Sequence, residues 1–174
     1  MTATYLRQAT QADLPGITSI IHDAKAFLKQ QNIDQWQDGY PADDDLKTDI
    51  DEGITYVLVV DGAIAGTAAL HQGIDVNYLT IDDGEWKTGT LARYTAIHRI
   101  AVSSHFRGQH LANRLMSGLV TISSVLGYKD VRIDTHPDNQ AMQHVIKTAG
   151  FDYCGKVYMH ASKALRYAYE LVIK

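Results

Sequence analysis

The sequence predicts a mixed α/β domain, with α/β units in the middle of the chain and strand pairs on either side. Three observations carry that expectation. Two apolar runs, 54–60 and 63–71, are separated by Asp61-Gly62, a strong short-range hairpin signal. A strand pattern over 94–102 passes through a short polar turn into a long helical pattern over 109–126. The chain has 174 residues and is 45% hydrophobic, enough to bury roughly two thirds of its surface as one domain spanning 1–174.

The remaining elements follow in order. Residues 4–9 read as a first strand, and Thr10 can cap a helix beginning near Gln11. Leu14, Ile17, Ile20, Ile21 and Ala24 recur at helical spacing, so this helix, running toward Gln31, has one buried stripe. Residues 33–41 are irregular. A polar helix over 42–52 carries Asp43, Asp44, Asp45, Asp49, Asp51 and Glu52 against the single Lys47, and reads as a solvated face with acids favouring the helix N-terminus. Residues 75–90 lack periodicity and read as a long surface loop. In the helix over 109–126, Leu111, Leu115, Leu119, Ile122 and Leu126 line one face. A strand over 131–135, a helix over 138–148 ending at Gly150, and a strand pair, 151–159 and 164–173, complete the chain.

Sixteen Lys and Arg against twenty Asp and Glu give a formal net charge of −4. No overall basic field therefore exists to attract nucleic acid or an anionic membrane. The one cysteine, Cys154, permits no intrachain disulfide, and no apolar run approaches the ~20 residues of a membrane span. These features predict a cytoplasmic protein, monomer or homodimer, whose partners are small molecules or peptides. His22, His71, His105, His136, His144 and His160 do not pair with Cys or acid at a metal-ligand spacing, so no metal is expected.

After the strand ending at Val102 the chain reads Ser103-Ser104-His105-Phe106-Arg107-Gly108-Gln109-His110-Leu111-Ala112. The first amides of a helix lack internal partners and carry partial positive charge, so an anion is stabilised there. Arg107 adds a full charge, and no acid follows from Gln109 through Tyr128. A P-loop signature is absent, and no Gly-x-Gly-x-x-Gly follows a strand.

This passage resembles the coenzyme A motif of the GNAT N-acetyltransferase superfamily, Arg/Gln-x-x-Gly-x-Gly/Ala. Arg107 matches its first position and Ala112 its last, whereas His110 stands where a glycine is usual. If that position needs a positive φ, histidine is strained there. The resemblance extends along the chain. The segment Arg132-Ile133-Asp134-Thr135-His136-Pro137-Asp138-Asn139-Gln140 looks like the family's fifth strand and turn, and Thr148-Ala149-Gly150-Phe151 like the exit into its sixth strand. The resemblance implies a mostly antiparallel central sheet splayed between its fourth and fifth strands and flanked by helices. It implies acetyl-coenzyme A as donor, held by Ile100, Ala101, Val102, Arg107, Gly108, Gln109, His110, Leu111, Ala112 and Asn139, with an amine as acceptor. It also implies that a main-chain amide near Ala101 and Val102 polarises the thioester carbonyl.

Acetyl transfer requires an unprotonated amine. For a lysine-like amine that costs about 4.6 kcal/mol at pH 7, which makes a base useful. By two-residue alternation His98 shares a face with Ala96, Ile100 and Val102, where a neutral imidazole can relay a proton. Arg99 points the other way and is expected to pair with a carboxylate such as Asp134. Glu85, beside Trp86, is a second candidate base if the indole desolvates it. The tyrosine that often serves as general acid in the family is replaced by Ile146, which leaves Tyr153 or Tyr158, or water, to protonate the thiolate. Trp36, Tyr40, Trp86 and Tyr94 are expected to line the acceptor side. The alternative is a regulatory acyl-coenzyme A binding module without catalysis, motivated by His110 and Ile146.

Overall fold

The computed structural model describes residues 3–106 and 108–174. Among these residues seven strands, β1 (Thr4–Gln8), β2 (Thr55–Val60), β3 (Ala63–Gln72), β4 (Thr95–Val102), β5 (Asp130–Thr135), β6 (Asp152–Tyr158) and β7 (Leu165–Val172), form one sheet in the order β1-β2-β3-β4-β5-β7-β6. The pairs β1–β2, β2–β3, β5–β7 and β6–β7 are antiparallel. The pair β4–β5 is parallel, with Thr95, Ala96 and Ile97 opposite Val131, Arg132 and Ile133. Four α-helices among the described residues, α1 (Leu14–Gln30), α2 (Asp43–Asp51), α3 (Leu111–Val125) and α4 (Gln140–Thr148), complete the mixed α/β fold.

The chain divides into two compact units. The first comprises Met1–Leu70 with Arg99–Leu115, and the second His71–His98 with Met116–Lys174. In the first unit, Ile17, Ile20 and Ile21 of α1 pack with Leu46 and Ile50 of α2 and with Val57, Val59 and Ala101. Pro15 opens α1, where its missing amide would have had no partner. The β2–β3 hairpin turns on Asp61 (φ 50°) and Gly62 (φ 83°), the paired left-handed conformations a two-residue hairpin needs. Thr10 does not use its hydroxyl on a helix amide. It donates to Asp13, whose carboxylate also accepts from Arg7 at 2.7 Å and is held down to about 2 mainly by that hydrogen bond.

The acidic helix is not wholly solvated. Asp49 is buried and accepts from Arg99 at 2.6 Å, so one acid of α2 serves as an internal counter-ion. This corrects the expected partner of Arg99. Asp134 instead accepts from Tyr78 at 2.7 Å, with Arg166 at 3.9 Å.

In the second unit, Tyr78, Trp86, Tyr94, Ala96, Cys154, Val157 and Ala168 form the core. The segment 75–90 is therefore not a plain surface loop, because its aromatic residues are buried. Its tip docks on β6, where Asp82 and Lys156 exchange backbone hydrogen bonds at 2.8 Å and the Glu85 amide donates to the Cys154 carbonyl. Gly84 permits that approach, since a Cβ there would lie 1.8 Å from the Cys154 carbonyl oxygen. Helix α3 begins at Leu111, later than the hydrophobic pattern implies, because Gly108 (φ 77°) and His110 (φ 54°) hold the chain in left-handed conformations. Leu126 lies beyond its end and is exposed.

Candidate active site

Two features gather most of the residues that the sequence singles out. The first is the turn between β4 and α3, in the first unit. Gly108 and His110 both have positive φ, so the residue at the family's usual glycine position adopts the conformation glycine favours. Gly108, Gln109 and His110 are exposed, Leu111 is buried and Ala112 is half-buried, so the turn is open to solvent while α3 is anchored behind it at Leu111. Arg107 lies outside the described residues. Upstream, Ala101 belongs to the core, Ile100 and Val102 are half-buried, and the Ser103 amide donates to Ala65 at 2.8 Å. Asn139 caps α4 in the second unit, its side chain accepting from the Met142 amide at 3.1 Å.

The second feature centres on His98, in the second unit. Its Nε2 lies 2.6 Å from Oδ2 of Asp75, with side chains 19% and 8% exposed. The other carboxylate oxygen of Asp75 accepts from both the backbone and side-chain nitrogens of Asn77, each at 2.8 Å. Burial alone would raise the Asp75 carboxyl. The hydrogen bond and charge of His98, with the Asn77 donors, outweigh it and hold the group below the ordinary carboxylate value. An ionised Asp75 accepting at Nε2 assigns the proton of the neutral ring to that nitrogen and leaves the lone pair on Nδ1. Tyr78 and His71 stand near the imidazole, at 5.9 and 6.4 Å between ring centroids.

Sequence spacing singles out His98 but not Asp75, which follows β3 in a segment without periodicity. The alternation assumed for β4 also fails after His98. Arg99 has φ 51°, which breaks the two-residue repeat, so Ile100 and Val102 do not inherit the face of His98.

The other predicted residues are distributed as follows. Glu85 is exposed, and the Trp86 indole beside it in sequence turns inward to donate to the Tyr78 carbonyl at 3.0 Å. The desolvating contact expected for Glu85 is therefore missing. Trp86 and Tyr94, 3% and 1% exposed, are core side chains rather than pocket walls. Both lie against the guanidinium of Arg132, at 4.3 and 3.9 Å from their ring centroids. Trp36 packs half-buried on the first unit's core, and Tyr40 is exposed with the Arg99 guanidinium 5.1 Å from its ring. Tyr153 is exposed on β6, edge-on to Tyr167 and Tyr169, and its phenol is raised by partial burial. Ile146 is fully buried, and Tyr158 is exposed.

Comparison with known proteins places this combination of sheet and turn. The Acetyltransferase (GNAT) family profile matches residues 21–151. A GNAT family acetyltransferase from Streptococcus agalactiae 2603, known from its crystal structure, is 35% identical, superposes with a TM-score of 0.89, and is covered over 96% of its length by 98% of this chain. The uncharacterized N-acetyltransferase YesJ of Bacillus subtilis is 24% identical over 87% of this chain and 83% of its own. The protein yncA of Salmonella typhimurium, solved with acetyl-CoA, shares the fold at a TM-score of 0.70 and 16% identity, over 99% of this chain and 95% of that one. This chain belongs to the GNAT acetyltransferase family.

Proposed function

We propose that the protein is an N-acetyltransferase that moves the acetyl group of acetyl-coenzyme A to a primary amine by direct attack in a ternary complex. The observation that carries the catalytic part is the 2.6 Å contact between His98 Nε2 and Asp75, which leaves Nδ1 as the basic nitrogen. The amine nitrogen bonds to the thioester carbon as its proton passes to His98, and the C–S bond breaks. Asp75 stabilises the imidazolium that forms. Tyr153, an exposed tyrosine of β6, is the candidate donor to the departing thiolate, with water as the other source of that proton. His98 is preferred to Glu85 as base because it is held in place and Glu85 is solvated.

The turn at 103–112 suits the pyrophosphate of the donor. Two left-handed residues lead into α3, whose first amides have no acceptor within the helix itself, and no acidic side chain follows between Gln109 and Tyr128. Arg107, Gly108, Gln109, His110, Leu111, Ala112 and Asn139 are the residues assigned to the donor, with Ile100, Ala101 and Val102 offering main chain to its acyl end. Trp36 and Tyr40 are left as the aromatic candidates for the acceptor.

The test is thiol release from acetyl-coenzyme A across amino acids, polyamines, aminoglycosides and peptide N-termini. Release above background with one class of amine is the expected result. A coenzyme A thermal shift without release for any acceptor would instead favour a binding module. At a hundredfold excess over the dissociation constant, that shift corresponds to about 2.7 kcal/mol.

A further inference from the structure

We propose that Tyr94 is a positioning residue for His98: its phenol oxygen holds the Asp75 backbone, and Asp75 in turn decides which nitrogen of His98 carries the proton. The inference rests on the reading of His98 as base. It starts from a strand that supplies two parts of one clamp. Tyr94 immediately precedes β4 and His98 lies four residues on, and the Asp75 segment touches both. The Asp75 amide donates to Tyr94 Oη at 2.8 Å, and the Asp75 carboxylate accepts from His98 at 2.6 Å.

Each arm is fixed independently. The Tyr94 ring is buried, with the guanidinium of Arg132 3.9 Å from its centroid and the Tyr78 ring at 6.2 Å, so the phenol oxygen has little freedom. Arg132, fully buried, is itself tied to the Gly89 carbonyl at 2.7 Å and to Asp130 at 2.9 Å. On the far side, Asn77 binds one oxygen of Asp75 and accepts the His160 amide at 2.7 Å. Asp75 therefore has one oxygen fixed by Asn77, its amide fixed by Tyr94, and one oxygen left for the imidazole. Without the phenol the buried Asp75 amide loses its acceptor, and the segment gains a reason to shift. The ring and its stacking would remain in Tyr94→Phe, so the variant removes one atom's function.

The direct test needs no substrate. In 15N NMR of the histidine side chains across a pH titration, the wild-type neutral ring of His98 is expected to be the Nε2–H tautomer. Tyr94→Phe should give a mixture of tautomers, with exchange of the Asp75 amide faster by about tenfold. An unchanged tautomer and unchanged amide protection in Tyr94→Phe would overturn the inference. If Tyr94→Phe does not fold, 3-fluorotyrosine at the same position keeps the hydroxyl but weakens it as an acceptor, and the same two readings decide in the same direction. In turnover, Tyr94→Phe should lower kcat several-fold with the KM for acetyl-coenzyme A unchanged, and should cost nothing further in a His98→Gln background. Full additivity there would contradict positioning through His98. An unchanged rate in His98→Gln alone would remove His98 as base, while the NMR result would still decide what Tyr94 does to the ring.

Discussion

The turn at 103–112 and the His98–Asp75 pair are built in opposite ways. The turn is local in sequence and offers main-chain amides, which every residue but proline supplies, so it accepts a histidine where glycine is usual. Its cost is conformational, borne by His110 at φ 54°. The pair depends on two particular side chains 23 residues apart, and it exists only because an aperiodic segment is anchored by buried groups. One region should tolerate changes of side chain and the other should not. Substitutions should therefore separate donor binding from chemistry.

The largest effect is expected where the anchoring is deepest. Arg132 is fully buried between the carboxylates of Asp130 and Glu170 and the rings of Trp86 and Tyr94. Arg132→Leu strands two acids without a cation and should destabilise the protein by about 3–5 kcal/mol, measurable by denaturant unfolding. Next is the pair itself. Asp75→Asn keeps the size of the side chain but removes the charge, and should lower kcat by about tenfold or more while leaving coenzyme A affinity unaltered in calorimetry.

Acid should act on the two units with opposite sign. Asp130 is raised to about 6, chiefly by burial and by the charge of Glu170, against the Thr88 and Arg132 hydrogen bonds. A raised acid stabilises the fold below its unfolded value near 4, and that contribution is lost as pH rises through about 6. Asp13, lowered to about 2 mainly by its hydrogen bond to Arg7, contributes above about pH 4 and loses its effect as pH falls toward 2. Thermal melts against pH should therefore show Asp130→Asn flattening the change between about pH 6 and 4, and Asp13→Asn flattening the loss below about 4. The smallest effect belongs to the turn. His110→Gly should relieve the left-handed strain, raising stability by at most about 1 kcal/mol, with coenzyme A affinity held or improved.

The same contrast explains what could be read from the sequence. Strand and helix periods, the Asp61-Gly62 hairpin and the strand-to-helix turn before α3 are local patterns, and the structure contains them close to where the residues imply. Asp75 carries no such pattern. Its role depends on Tyr94, Asn77 and His98 meeting in three dimensions. Arg99 was misassigned for a related reason: a single left-handed residue in β4 breaks the alternation on which its partner and the faces of Ile100 and Val102 were inferred. Asp49 was hidden by its neighbours, since nothing in a run of acids marks the one that turns inward to Arg99. Trp86 reads as a pocket aromatic because the segment 75–90 lacks periodicity, yet that segment builds a core through buried rings, and Tyr94 at the head of β4 joins it.

The most direct test of the division between binding and chemistry is His98→Gln, followed by acceptor-dependent thiol release and by the coenzyme A thermal shift on the same sample. Release reduced at least about tenfold with the shift retained is the predicted result. Release at the wild-type rate, or a shift lost together with activity, would contradict it.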